Sequence, residues 1–202
     1  MKRFMRTGVP TEGYAEVKKV GEVYVVHLEP EVKDNGLTEC WECVEREEPD
    51  LVALSAQLQE YKTYILAREL AVAKEEKVKA LMRYDESEAV NSFEIRKQGA
   101  KVTDYWLDRD LRTSLEGDVI AAQSVGDTYK FDIREMGITL ELNCNKFLEA
   151  LARLRRYAYT AFNQTSAHMD GIRACETKEE VEAYDYTQGY PEKLVFDIEE
   201  LM

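Results

Sequence analysis

Cys40 and Cys43, in the run "TECWECVE", are the first residues of this chain whose spacing suggests chemistry. A Cys-x-x-Cys pair holds zinc or forms a redox couple when its two thiols point to one side. Structural zinc takes four ligands in a tetrahedron. The other candidates are Cys144, Cys175, His27 and His168, and no two of them stand at ligand spacing. The segment itself reads as a strand, where residues three apart face opposite ways. Cys40 and Cys43 are therefore expected to diverge, and neither a metal nor a cofactor is expected.

The other reactive residue types give no firmer constellation. There is no Gly-rich phosphate loop, no Gly-x-Ser-x-Gly elbow, and no His-x-x-x-His or Glu-x-x-His pair. With two histidines in the chain, acid–base work would fall to carboxylates, and none is singled out by spacing. Asp104, Asp108 and Asp110 in "DYWLDRD" suggest a metal cluster, but Asp108 is better used as a helix cap and strand alternation separates Asp104 from it. His168 sits near the apolar stripe of a helix and is expected to pack at the edge of a core. Trp106 with Tyr184, Tyr186 and Tyr190 is the most notable aromatic set. Tyr and Trp anchor protein interfaces. The plainer alternative is a tyrosine-rich turn that seals a small core.

The chain that must position these groups has 202 residues, enough for one domain or for a domain with an appendage. Forty acidic residues against 27 basic give a net charge of −13. That balance argues against a nucleic-acid binder, whose affinity rests on Lys and Arg at phosphates. The short basic runs Lys2-Arg3…Arg6 and Arg153…Arg155-Arg156 read as solvated faces. No stretch approaches the ~20 apolar residues of a membrane span, and the basic opening lacks the apolar run of a secretion signal. Four scattered cysteines make no disulfide framework. A soluble protein with reduced thiols, made in a cytoplasm, is expected.

Three segments are expected. In residues 1–48, Tyr24–Val32 and Leu37–Val44 form an acidic hairpin or meander around the Asn35-Gly36 turn, with Tyr14–Val20 a candidate third strand. Residues 49–84 read as one long helix opened by Pro49 and Asp50, with no Gly or Pro from Leu51 to Tyr84. Leu51, Leu54, Leu58, Tyr61 and Ile65 step by three and four along it, a coiled-coil-like seam. The small front segment is expected to offer that seam little surface, so the seam is an interface candidate. An amphipathic helix on its own chain's core is the alternative.

Residues 85–202 read as the best-formed domain. Two short strands, "NSFEI" and "VTDYWL", precede a helix capped by Asp108, with Leu111, Leu115, Val119 and Ala122 on one face. A hairpin follows, Tyr129, Phe131 and Ile133 against Ile138, Leu140 and Leu142, turning at Met136-Gly137. Asn143 or Asn145 caps a second long helix with a stripe of Phe147, Leu151, Leu154, Ala158, Phe162, Thr165, Met169 and Ile172. Thr177 and Glu180 make a capping box for a short helix, and a strand-like run closes the chain. The expected class is α+β, an antiparallel sheet packed with two or three helices.

In order, "DESEAVNSFEI", "YWLDRDLRTSL", "ITLELNC", "FLEALARLRRYAYTAFNQTSAHMDGI" and "TKEEVEAYDYTQGYPEKLVF" resemble a domain-of-unknown-function family encoded in phages and prophages, including those of gut bacteria. The closing stretch is the most specific part. The front half also resembles its relatives, through "MKRFMRT" and "VVHLEPEVKDNG". "LDRDLR" departs from the commoner Leu-Asp-Lys-x-Thr-Arg pattern. The family's genes often lie among tail and tail-fibre genes. The resemblance implies a non-enzymatic virion-associated protein, made in the host bacterial cytoplasm, that binds tail, fibre or connector proteins and forms a homo-oligomer. A tail-fibre assembly chaperone absent from the particle is the alternative, and a small phage-encoded enzyme is the alternative of another class. The family brings no catalytic residues, and neither nucleic acid nor membrane is an expected partner.

Overall fold

The computed structural model of the chain describes residues 1–6, 16–133 and 137–202. The chain divides into two compact units, Met1–Ala71 and Val72–Met202, with the boundary inside a helix. The class is α+β, as the patterning indicates. Tyr14 and Met136, parts of an expected strand and an expected turn, lie outside the described residues.

In the first unit, β1 (Lys2–Arg6), β2 (Glu16–Val20), β3 (Val23–Val32) and β4 (Thr38–Glu45) form an antiparallel sheet in the order β1-β4-β3-β2. The β3–β4 turn carries Gly36 at φ 75°, a left-handed conformation that costs glycine little. Leu28 pairs with Trp41, His27 with Glu42 and Val26 with Cys43. A bulge after Leu28 shifts the register, with Glu29 at φ 50°. The alternation of the strands puts Val26, Leu28, Trp41 and Cys43 on one face, and that face meets helix α1 (Leu51–Asp85). Asp50 starts the helix, its Oδ1 accepting from the N–H groups of Val52 and Ala53 at 3.0 and 3.2 Å.

The seam of α1 therefore has an intramolecular partner, contrary to the expectation that the front segment offers it little surface. Leu54 and Leu58 are buried with Val26, Leu28 and Cys43, Leu58 completely. Tyr61 is half-buried and meets Trp41 edge-on, with ring centroids 5.8 Å apart. Ile65 is half-buried and Leu51 is exposed. The covering side chains all come from β3 and β4, the expected hairpin, whose alternation gathers Val26, Leu28, Trp41 and Cys43 on the face that meets the helix.

The second unit contains the C-terminal part of α1, then β5 (Phe93–Lys97), β6 (Ala100–Tyr105), α2 (Arg109–Gln123), β7 (Thr128–Ile133), β8 (Ile138–Asn143), α3 (Cys144–Ala174), α4 (Lys178–Ala183), β9 (Val195–Asp197) and α5 (Ile198–Leu201). β5 and β6 form a hairpin whose central residues, Gln98 and Gly99, both have positive φ, the requirement of a tight hairpin turn. β9 adds to the free edge of β5 in parallel, so this sheet is mixed. β7 and β8 form a separate antiparallel pair. Phe93, Ile95, Val119, Ile133, Leu142, Phe147, Leu151, Leu154 and Phe196 share the main core.

Three expected caps are present. Asp108 accepts from Leu111 N–H, Asn143 accepts from Lys146 N–H, and Thr177 and Glu180 close a capping box. The stripe of α3 differs from its expected course. Beyond Leu154 the buried row runs through Tyr157, Ala161, Thr165, His168 and Ile172, while Phe162 is 65% exposed. Leu111 on α2 is also exposed, leaving Leu115 and Val119 as its buried residues. Among the described residues no helix is long and apolar enough to cross a membrane.

Candidate functional site

Cys40 and Cys43 are both buried and fall on opposite faces of β4, so their thiols diverge. Burial, with Glu45 and Glu42 nearby, pushes the Cys43 thiol above its ordinary value. Among the described residues no three His, Cys, Asp or Glu side chains are grouped to hold a metal ion. The three aspartates also separate. Asp104 pairs with Lys101 and Lys193 at 2.6 and 2.7 Å, and those hydrogen bonds hold its carboxyl below the usual range. Asp108 caps α2 and Asp110 lies in its first turn.

On the face of the first sheet away from α1, His27 lies between two carboxylates. Its Nδ1 is 3.2 Å from Glu16 Oε2 and its Nε2 is 3.3 Å from Glu42 Oε2. Burial raises the Glu42 pKa, but hydrogen bonds from His27 and Lys2 together outweigh it and leave the group below its ordinary 4.5. A carboxylate with a depressed folded pKa stabilises the fold above the unfolded pKa, and that contribution fades as the pH falls through the folded value. Glu42→Gln is therefore expected to lower the urea midpoint of the first unit at neutral pH and to flatten its decline below about pH 4.5. Urea titrations of both proteins from pH 3 to 7 check this, and parallel acid limbs would count against it.

The tyrosine-rich turn is docked on its own unit. His168 is buried, and its Nε2 donates to the Gln188 carbonyl at 2.8 Å while Nδ1 shares a 3.2 Å hydrogen bond with the Tyr184 hydroxyl. Thr165 Oγ1 lies 2.5 Å from Asp85 Oδ1 and 2.8 Å from the Tyr190 hydroxyl. Tyr84 meets Tyr186 and Tyr190 edge-on at 5.8 and 5.5 Å. Tyr184, Tyr186 and Tyr190, expected as interface anchors, are half-buried on their own chain. This arrangement fits the plainer reading of a turn that seals a small core, and His168 takes the packing role expected of it.

Trp106 has a different setting. It follows β6, and its neighbour Leu107 is buried and anchors the loop. The Arg112 guanidinium lies over the Trp106 ring, 5.2 Å from its centroid, and Nη1 donates to the Leu107 carbonyl. Tyr157, buried on α3, meets Trp106 edge-on at 6.3 Å. Beyond it Tyr159 and Phe162 stand 66% and 65% exposed. Together these walls enclose an open groove of about 670 Å³, to which Arg109 and Arg155 also contribute. That volume is in the usual range for binding sites.

The groove is positive within an acidic chain. Arg155 pairs with Glu116, but among the described residues neither Arg109 nor Arg112 has an ion-pair partner. Burial pulls the Arg112 guanidinium below its ordinary value, with Arg155 and Arg109 adding to the effect and Asp108 opposing it. Of these residues the sequence pattern singles out Trp106 alone, placing Phe162 on the buried stripe and Arg155 on a solvated face. The missed signal was Tyr157: the row 154, 157, 161, 165, 168 leaves 158 and 162 on the adjacent row. No protein-family model, curated protein or solved structure matches this chain.

Proposed function

We propose that this chain is a phage-encoded, virion-associated protein of the tail or tail-fibre region, acting by binding other virion proteins rather than by catalysis. The observation that carries this reading is the pair Tyr159 and Phe162, exposed beside an arginine whose guanidinium lies over the Trp106 ring. Aromatic residues and arginine are the side chains that anchor protein interfaces. The sequence resemblance supplies the phage setting. Leu51, Val52 and Leu66, exposed on the first half of α1, support self-association as part of the same reading.

Mass spectrometry of purified particles of the source phage tests it, with light scattering on the isolated protein. The chain is expected in the particle at a fixed ratio to a tail or fibre protein, and as a multimer in solution. Its absence from particles, with recovery on a fibre protein from infected cells, would select the chaperone alternative. Absence from both would overturn the proposal and favour the enzyme reading.

A further inference from the structure

We propose that the Trp106 groove receives an acidic peptide segment of a partner protein, one carboxylate bound by Arg112 and an adjacent apolar side chain packed on Tyr159 and Phe162. The inference rests on the interaction reading above and names the chemistry of the partner. Its basis is charge. A half-buried guanidinium ordinarily has a carboxylate beside it, because burying an unpaired cation is costly. Arg112 has a ring below it and one carbonyl oxygen, and no ion-pair partner among the described residues. Of the carboxylates around it, Asp85 in the groove wall is hydrogen-bonded to Thr165, Glu116 is paired with Arg155, and Asp108 caps α2 and acts on Arg112 through space without an ion-pair contact.

Planar guanidinium groups bind carboxylates through two parallel N–H···O bonds, and Arg112 is held in place for that by the Trp106 ring and by the bond from Nη1 to the Leu107 carbonyl. The exposed rings of Tyr159 and Phe162 then need an apolar group, which an anion alone does not supply. A segment alternating acidic and apolar residues supplies both. A long polyanion such as nucleic acid suits the site less well, since the whole chain carries −13 and repels it.

The test uses the full chain and a panel of fluorescein-labelled decapeptides, each with a central leucine or phenylalanine flanked by glutamates. Fluorescence anisotropy is expected to show micromolar binding that weakens with salt. Replacing the glutamates by glutamines should weaken it at least tenfold, as should Arg112→Gln. Phe162→Ala should weaken it several-fold with unchanged circular dichroism, because that ring is 65% exposed and is not one of the buried residues of α3. The proposal is overturned if no peptide binds, if the glutamine peptides bind as well, or if both variants bind like wild type. Tighter binding of a single-stranded oligothymidylate, lost in the same variants, would also overturn it and assign the groove to nucleic acid. Failure here with the chain present in particles removes this inference alone. Peptide binding with the chain absent from particles and from fibre proteins removes the virion reading instead.

Discussion

Leu58→Glu is expected to unfold the first unit rather than merely to dissociate an assembly. Leu58 has no exposed surface and packs with Val26, Leu28, Cys43 and Leu54. Truncation to alanine there would cost about 2–5 kcal/mol through lost burial and the cavity left behind. A carboxylate in the same place has no partner and adds the penalty for burying a charge, several kcal/mol more. Domain stabilities are about 5–15 kcal/mol, so the loss approaches the whole. The second unit has a separate core around Phe147 and Leu154 and should retain its transition. Urea unfolding followed by circular dichroism is expected to lose one transition and keep the other, at any protein concentration. A fully folded variant that only loses mass by light scattering would show that the seam faces another chain.

The second large effect concerns two helical glycines that should respond to alanine with opposite signs. Ala ordinarily stabilises a helix interior relative to Gly by about 1 kcal/mol. Gly117 in α2 has open space around it, so Gly117→Ala should realise that gain. At Gly171 in α3 a methyl group would lie 2.7 Å from Cζ and 2.9 Å from Cε2 of Tyr184, well inside contact distance. Tyr184 would have to leave, breaking its hydrogen bond with His168 and its edge-on packing against that ring at 5.8 Å. Overpacking costs about 1–3 kcal/mol and a lost buried hydrogen bond about 1–3 more. Gly171→Ala is therefore expected to destabilise the second unit by roughly 1–5 kcal/mol after the propensity gain. Chemical denaturation of the two variants in parallel decides it. Equal shifts would mean that Tyr184 yields without loss.

The contrast between Asp108 and Phe162 shows what was legible in the sequence. Asp108, Thr177, Glu180 and the Asn35-Gly36 turn act on their own neighbours within four residues, and each does what its type and spacing indicated. Phe162 depends on which row of α3 meets the core, and that is set by elements far away in the chain. The parallel placement of β9 escaped for a similar reason: three residues carry too little pattern to choose an edge. The seam of α1 is plain in the sequence, but its partner is the β3–β4 face that only strand pairing assembles, with Val26 and Leu28 set beside Cys43 and Trp41. The groove is assembled from the residues around Trp106, from α2 and from α3, so no local window contains it.

Hydroxyl-radical footprinting of Tyr159 and Phe162, in the free protein and in purified particles, tests the central claim most directly. Both rings are about two-thirds exposed on the isolated chain and should oxidise readily. If this face binds another virion protein, oxidation at both positions should fall several-fold in the particle, while exposed Tyr64 on α1 serves as an internal reference. Oxidation of Tyr159 and Phe162 at the free rate within the particle would contradict the account.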